Sequence, residues 1–578
     1  MVKASRLLRL VALCLLLAAS LPVPALSYDP AVAGSGLRGG GAAASGTYTA
    51  VTVPDQNAAT VDPRVLQDTA GSATGHFIVV LRAQADARAA AASALAAAAR
   101  TAGGRGGAAQ LHGPAWVAQG AAVLSALQTT AAASQPAVKA QLDALGAHYQ
   151  AFYILNALAV TGGRAVVEAL AARPDVASIV PDRTFKAALE QPAAPGTSGR
   201  TRRSGPAQAG IGIPWNIAQT HAPDLWAMGI TGRGIVYANA DTGVMWDHPA
   251  LKNQYRGWNG TTADHNYNWW DAIITDTITG STSNPCGYAL QAPCDDYGHG
   301  THTMGIGVGN DAEGDQIGMA PGARWIACRN MDDGTGRPST YIDCFQFFLA
   351  PWDLKGNNPN PSLRPDVVGN SYGCPTAAPP EGEGCDAHVM QQALESLNAA
   401  GIFMSVSAGN DGASGCGTID QPPGLEASVF TVGATDINAS LASFSSLGPV
   451  TIDGSNLRKP DLAAPGVDVI SSYYDGSYVY MSGTSMSAPH VAGAVALLWS
   501  AFPMTLTHDV DLTESILESS AGVTVTVTPP PYEPSSCGGI GLGTVPNDFF
   551  GYGLLDVLAA YRTPVHVIWL PLVQQAQP

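Results

Sequence analysis

The chain has 578 residues, of which 46% are hydrophobic and 13% charged, with a formal net charge of −17. That length accommodates two folded units plus targeting and connecting segments, and the composition is that of a globular protein. The acidic balance argues against a nucleic-acid-binding surface and against a polybasic membrane anchor.

Residues 1–27 have the layout of a secretory signal peptide: Lys3, Arg6 and Arg9 precede the apolar run Leu10 to Leu17, and Ala25-Leu26-Ser27 offers a small-residue cleavage site. The run falls short of the roughly 20 apolar residues a membrane span needs, so export with cleavage is favoured over an anchor. No later segment is long and apolar enough to cross a bilayer. Of the nine cysteines, Cys14 leaves with the signal. The other eight are an even set suited to disulfides in an oxidising compartment. Pairing by closeness gives Cys286–Cys294, Cys328–Cys344 and Cys374–Cys385 and leaves Cys416 with Cys537, while spacing alone leaves other connectivities open. Residues 28–75, rich in Gly, Ala, Ser and Thr without periodicity, read as a flexible lead-in.

Order is expected from residue 76 to 186. His76 to Leu81 has strand composition, Ala83 to His148 is Ala-rich and favours helix, with breaks at Gly103-Gly104 and Gly106-Gly107. A β-like run from Tyr149 to Val160, a helix from Arg164 to Ala172 and a strand from Val176 to Val180 complete a small α/β sandwich. Tyr153 to Val160 followed by Leu170 to Val176 resembles the inhibitor I9 prodomain of subtilases. That resemblance implies a segment that templates folding of a following protease and blocks its cleft until cut away. Residues 187–210, rich in Pro, Gly and Ser with Arg200, Arg202 and Arg203, read as an exposed linker that carries the activation cut.

Beyond the linker, short apolar runs (Ile235 to Ala238, Trp325 to Ala327, Val367-Val368, Ile402 to Val406, Val429 to Val432) alternate with helical stretches. Buried strands alternating with helices predict a parallel sheet covered on both faces, here over residues 211–563. Three segments carry chemistry. Val236 to Val244 is a strand ending in Asp241-Thr242-Gly243, Tyr297 to Gly305 holds His299 among glycines, and Ser482 to Gly493 delivers Ser485 at a helix start. A serine hydroxyl needs a base to take its proton as it attacks. The base in turn needs a carboxylate to hold its tautomer and offset its charge. Asp-Thr-Gly alone is more often a turn, and two histidines three apart could hold a metal; a third ligand at metal-binding spacing is missing. The order Asp, His, Ser is what separates the subtilisin type from the chymotrypsin type.

These three segments resemble those of the subtilisin-like serine proteases, family S8, over roughly residues 76–560. The resemblance implies a three-layer α/β domain with a mainly parallel central sheet, preceded by the small α/β-sandwich prodomain, in a secreted serine endopeptidase made as an autoprocessed zymogen. It assigns Asp241, His299 and Ser485 to the triad, leaving His302 to packing, and Asn410, in Ser405 to Gly412, to the oxyanion together with the Ser485 N–H. Asn370, Ser371, Tyr372 and Gly373 would pair with substrate backbone as an added strand, and Ser407, Ala408 and Gly409 would wall the pocket next to the scissile bond. The Asn370 and Pro422 segments are most similar to the bacillopeptidase F branch. No catalytic cofactor or metal is implied. Structural calcium is a family feature for which Asn310 to Asp315 offers oxygens, and a solvated acidic loop is the equal alternative. Expected partners are protein and peptide substrates and the chain's own prodomain, with no nucleic acid or membrane partner, in a monomer. The rival reading is a catalytically silent scaffold, against which stands the presence of all four site residues. The tail, residues 564–578, is apolar over Val567 to Val573 and reads as a last core strand rather than an attachment signal.

Overall fold

The computed structural model describes residues 59–101, 111–192, 210–275, 284–376, 384–503, 505–522, 525–527 and 535–563. The expected signal, most of the lead-in, the linker from 193 to 209 and the tail lie outside the described residues.

The N-terminal layer is a five-stranded sheet in the order β1-β5-β2-β4-β3, built from β1 (Thr60–Val61), β2 (Gly75–Leu81), β3 (His148–Phe152), β4 (Ala157–Gly162) and β5 (Val176–Pro181). Helices α1 (Pro63–Asp68), α2 (Ala87–Thr101), α3 (Pro114–Ala144) and α4 (Arg164–Ala171) connect these strands. Two sequence expectations change here. The run Tyr149 to Val160 is two strands of a hairpin, because Tyr153 to Asn156 turns where Asn156 sends its side chain into the core, donating to Ala83 O and Ser134 Oγ. Residues 59–75 hold regular structure: Thr60 and Val61 pair in parallel with Ser178 and Ile179, and Asp62 caps α1 by accepting the Arg64 N–H. The sandwich therefore starts near residue 59, ahead of the boundary that composition suggested.

The second sheet is seven-stranded and parallel throughout. Its order from edge to edge is β14 (Leu462–Pro465), β13 (Phe430–Thr435), β12 (Phe403–Ser407), β11 (Val367–Asn370), β7 (Val236–Asp241), β9 (Arg324–Arg329) and β8 (Trp269–Asp271). Each strand buries both faces, as the apolar runs require. Tyr237, Trp325, Val367 and Phe403 pack with α5 (His299–Val308) and α8 (Thr484–Ala501). Their neighbours Ala238, Ile326, Val368 and Met404 pack on the other side with α6 (Pro338–Leu349) and α7 (Gln391–Ala399). Strand period two thus sorts adjacent residues into separate layers. All four disulfides, Cys286–Cys294, Cys328–Cys344, Cys374–Cys385 and Cys416–Cys537, are those of the closest-neighbour pairing. No helix among the described residues is long and apolar enough to cross a membrane.

The two sheets share a core. Ile78, Phe152, Ile154 and Leu155 join Ile342, Phe345, Leu394 and Leu397 of α6 and α7 in one buried cluster. Polar groups set the register. Gln346 accepts the N–H groups of Tyr153 and Ile154, Ser396 Oγ donates to Ile154 O, and Gln150 donates to Asp343. At the start of α6, Asp182 accepts from Ser339 N at 2.9 Å and from Ser339 Oγ at 2.7 Å, so a residue of the N-terminal layer caps a helix of the second unit. Asp182→Ala leaves those helical donors unmet in a buried spot and is expected to lower stability by about 1–2 kcal/mol. The check is a lower midpoint of urea unfolding for the full chain.

Candidate active site

The strands of the large sheet all run the same way, so their C-terminal ends form one rim, where α/β folds gather side chains. Asp241 ends β7, Asn410 lies just past β12, and Ser485 is the second residue of α8. His299 is the first residue of α5, and Gly298 before it has φ +99° and no room for a side chain: a Cβ would lie 2.2 Å from the Tyr473 ring.

His299 Nδ1 donates to Asp241 at 2.8 and 3.0 Å, and the carboxylate also accepts from Thr242 N and Thr303 Oγ1. Ser485 Oγ donates to Ser371 O at 3.0 Å, and Ser371 Oγ donates back to Ser485 O at 2.8 Å. Asn410 is oriented by its own carbonyl, which accepts from Thr484 N and Thr484 Oγ1, and this leaves Nδ2 directed into the cleft. Ser407 and Ala408 are buried beside it, with Gly409 at φ +102°.

One residue in the cleft was not foreseen. Glu190, expected in an exposed linker, has one carboxylate oxygen 2.9 Å from His299 Nε2 and the other 2.7 Å from Asn410 Nδ2. Gly483 makes room, since a Cβ there would lie 1.7 Å from the Glu190 oxygen. The chain reaches this point as an added strand. β6 (Phe185–Lys186) pairs antiparallel with β10 (Thr335–Gly336), Ala187 N donates to Gly334 O, and Phe185 is buried edge-on to Tyr341. The added strand thus pairs with β10. Asn370–Gly373, expected from the sequence to pair with substrate, is joined to Ser485 through Ser371, and the glycine-spaced Asp333-Gly334-Thr335-Gly336 marks the β10 edge.

Electrostatics follow from burial and the two carboxylates. Burial alone would lower the pKa of His299, but Asp241 on one ring nitrogen and Glu190 on the other outweigh it and raise it to about 10. With both nitrogens donating, the ring is an imidazolium. His302 is pushed the other way, to about 3, by burial, and its Nε2 faces Val479 O at 3.1 Å rather than the cleft. The oxygens that Asn310 and Asp311 would offer a calcium ion are turned onto the backbone N–H groups of Ala312, Glu313, Gly314 and Asp315.

The subtilase family model matches residues 232–553, a span holding Asp241, His299, Asn410 and Ser485. The chain belongs to the subtilase family. It is 35% identical over 456 residues to bacillopeptidase F of Bacillus subtilis (strain 168), a match that takes in 76% of this chain but 28% of that protein. That alignment is longer than the family segment alone. The major intracellular serine protease of the same organism is 29% identical over 292 residues, covering 50% of this chain and 75% of that protein. Subtilisin DY of Bacillus licheniformis is 28% identical over 292 residues, covering 50% and 86%. The chain thus spans little more than a quarter of bacillopeptidase F and most of the shorter subtilases.

A raised histidine pKa means that the clamp is fully formed below the ordinary value near 6.5 and is lost as pH rises through about 10. In the full chain with Ser485→Ala, the downfield ring-proton resonance of His299 is expected to persist past neutral pH. In Glu190→Gln it should titrate at lower pH, as followed by proton NMR.

Proposed function

We propose that this chain is the precursor of a secreted serine endopeptidase that hydrolyses peptide bonds in proteins through an acyl-enzyme on Ser485. The observation that carries the reading is the convergence of His299 Nε2 and Asn410 Nδ2 on one spot, bridged by Glu190, which packs on Gly483 while Asn410 is bonded to Thr484, the residue before Ser485. A carboxylate there is a fair mimic of the charge that a tetrahedral intermediate develops.

With Glu190 withdrawn, His299 loses its second carboxylate and becomes a base held by Asp241. Ser485 Oγ attacks the scissile carbonyl carbon and passes its proton to His299 Nε2. The oxygen left negative is met by Asn410 Nδ2 and the Ser485 N–H. His299 then protonates the leaving amine, and water, deprotonated by the same ring, releases the acid from Ser485. Protein groups alone supply this chemistry, and calcium forms no part of the proposal.

Residues 59–186 serve as the prodomain and residues 187–192 as its blocking tail. While Glu190 keeps His299 protonated, the ring cannot accept the serine proton, so latency is electrostatic as well as steric. Release follows a cut between Asp182 and Gly210. Four disulfides support export. The backbone pairing at β10 is tolerant of sequence and supports broad action on protein substrates, with the buried Phe185 favouring an apolar side chain at that position.

The deciding experiment expresses the chain beside its Ser485→Ala variant. Wild type should shed the N-terminal unit and react with a fluorophosphonate, and the variant should do neither. A wild-type chain that stays intact and unlabelled refutes the enzyme reading. For the matured enzyme, Asn410→Ala is expected to lower kcat about 100- to 1,000-fold, the range known for the matching donor of subtilisin, with little change in KM.

A further inference from the structure

Asp366 immediately precedes β11, at the end of the sheet opposite the catalytic rim. Its carboxylate is fully buried, and Oδ2 accepts the Val236 N–H at 2.7 Å. Oδ1 faces two imidazoles from distant parts of the chain, His508 Nε2 at 2.5 Å and His112 Nε2 at 2.9 Å. His508 follows α8, whereas His112 belongs to the N-terminal unit, just ahead of α3. The three ligand atoms lie within 4.8 Å of one another.

We propose that His112, Asp366 and His508 form a zinc site that ties the N-terminal unit to the peptidase unit at the face away from the cleft. Two imidazole nitrogens with one carboxylate oxygen suit zinc, whereas calcium and magnesium take shells of oxygen. Tetrahedral zinc with bonds of about 2.0–2.1 Å spaces its ligand atoms by about 3.3 Å. The two oxygen–nitrogen pairs, at 2.5 and 2.9 Å, need open by less than an ångström, and the two nitrogens, which lie within 4.8 Å, need close by no more than about 1.5 Å. Two imidazoles aimed at one buried oxygen place two partial positive charges side by side, which a shared cation in place of the two protons relieves.

The surroundings hold the ligands in place. Trp116 packs on His112 at 4.5 Å and on His508 at 5.3 Å, and Trp499 packs on His508 at 5.1 Å. The Val236 N–H steadies the carboxylate from behind, the kind of outer support that ligating groups depend on. Arg364 is the neighbouring cation that opposes a metal. Its guanidinium is stacked on Trp116 and turned onto the carbonyls of Trp116, Pro361 and Ala400. His112 is 33% exposed against 8% for His508, so the fourth coordination position opens to water on the His112 side.

The test uses the full chain with Ser485→Ala, so that zinc binding is read without proteolysis and independently of the endopeptidase reading. After treatment with 1,10-phenanthroline and dialysis, titration with zinc chloride should show one ion per chain and a rise in the melting midpoint. His112→Ala and His508→Asn each remove a ligand and should weaken binding by more than the roughly 10- to 100-fold that loss of a group supporting a ligand costs, with circular dichroism unchanged in the half-buried variant His112→Ala. Cobalt(II) in place of zinc should give the visible absorption of a tetrahedral site and lose it in both variants. Absence of stoichiometric zinc, or a His112→Ala chain that binds zinc as tightly as its parent, overturns the proposal.

Discussion

His299 lies between two carboxylates, Asp241 at 2.8 Å on Nδ1 and Glu190 at 2.9 Å on Nε2. The first belongs to the framework: it ends a central strand, is buried, and is held by the Thr242 N–H. The second arrives from a segment some fifty residues earlier in the chain, brought in by the pairing of β6 with β10 and bonded through its other oxygen to Asn410 Nδ2. A buried imidazole strongly favours its charged form when both nitrogens have anionic acceptors. The same ring is therefore a locked cation with Glu190 present and, on the proposed reading, a working base without it.

The rest of the chain can be read as the means of delivering that second carboxylate. The N-terminal sheet contributes Ile78, Phe152 and Ile154 to the core of α6 and α7, and Asp182 caps α6 only three residues before β6 begins. Phe185 then fills a buried place against Tyr341, and Lys186 and Ala187 follow the β10 edge. Apolar burial supplies most of the attachment, while the hydrogen bonds of Gln346, Ser396 and Ser339 fix where along α6 and α7 it sits. A shift of one residue in that register would carry Glu190 away from Asn410. The His112, Asp366 and His508 cluster holds the same two units together at the far end of the sheet, where it can act on docking and leave the cleft geometry alone.

Much of the fold was legible because strands buried on both faces leave a continuous apolar run in the sequence. All five runs named from the peptidase segment became strands of one parallel sheet, and the closest-neighbour disulfides formed. Boundaries failed where local composition and tertiary context disagree. Thr60 to Asp68 looks like lead-in because its short strand gains pairing partners, Ser178 and Ile179, only after more than a hundred further residues. Tyr149 to Val160 reads as one strand because its turn is stabilised by a buried asparagine rather than by glycine or proline.

Asp241, His299, Asn410 and Ser485 could be named before any fold was known, since each sits in a short stretch whose glycines and neighbours are dictated by the tight turn it occupies. Their order along the chain identified the family. Sequence had no means of placing Glu190 in the cleft, or of bringing His112, Asp366 and His508 within 4.8 Å of one another. Those contacts join residues 109 to 396 positions apart. They arise from the docking of two separately patterned units, so only the tertiary structure decides them.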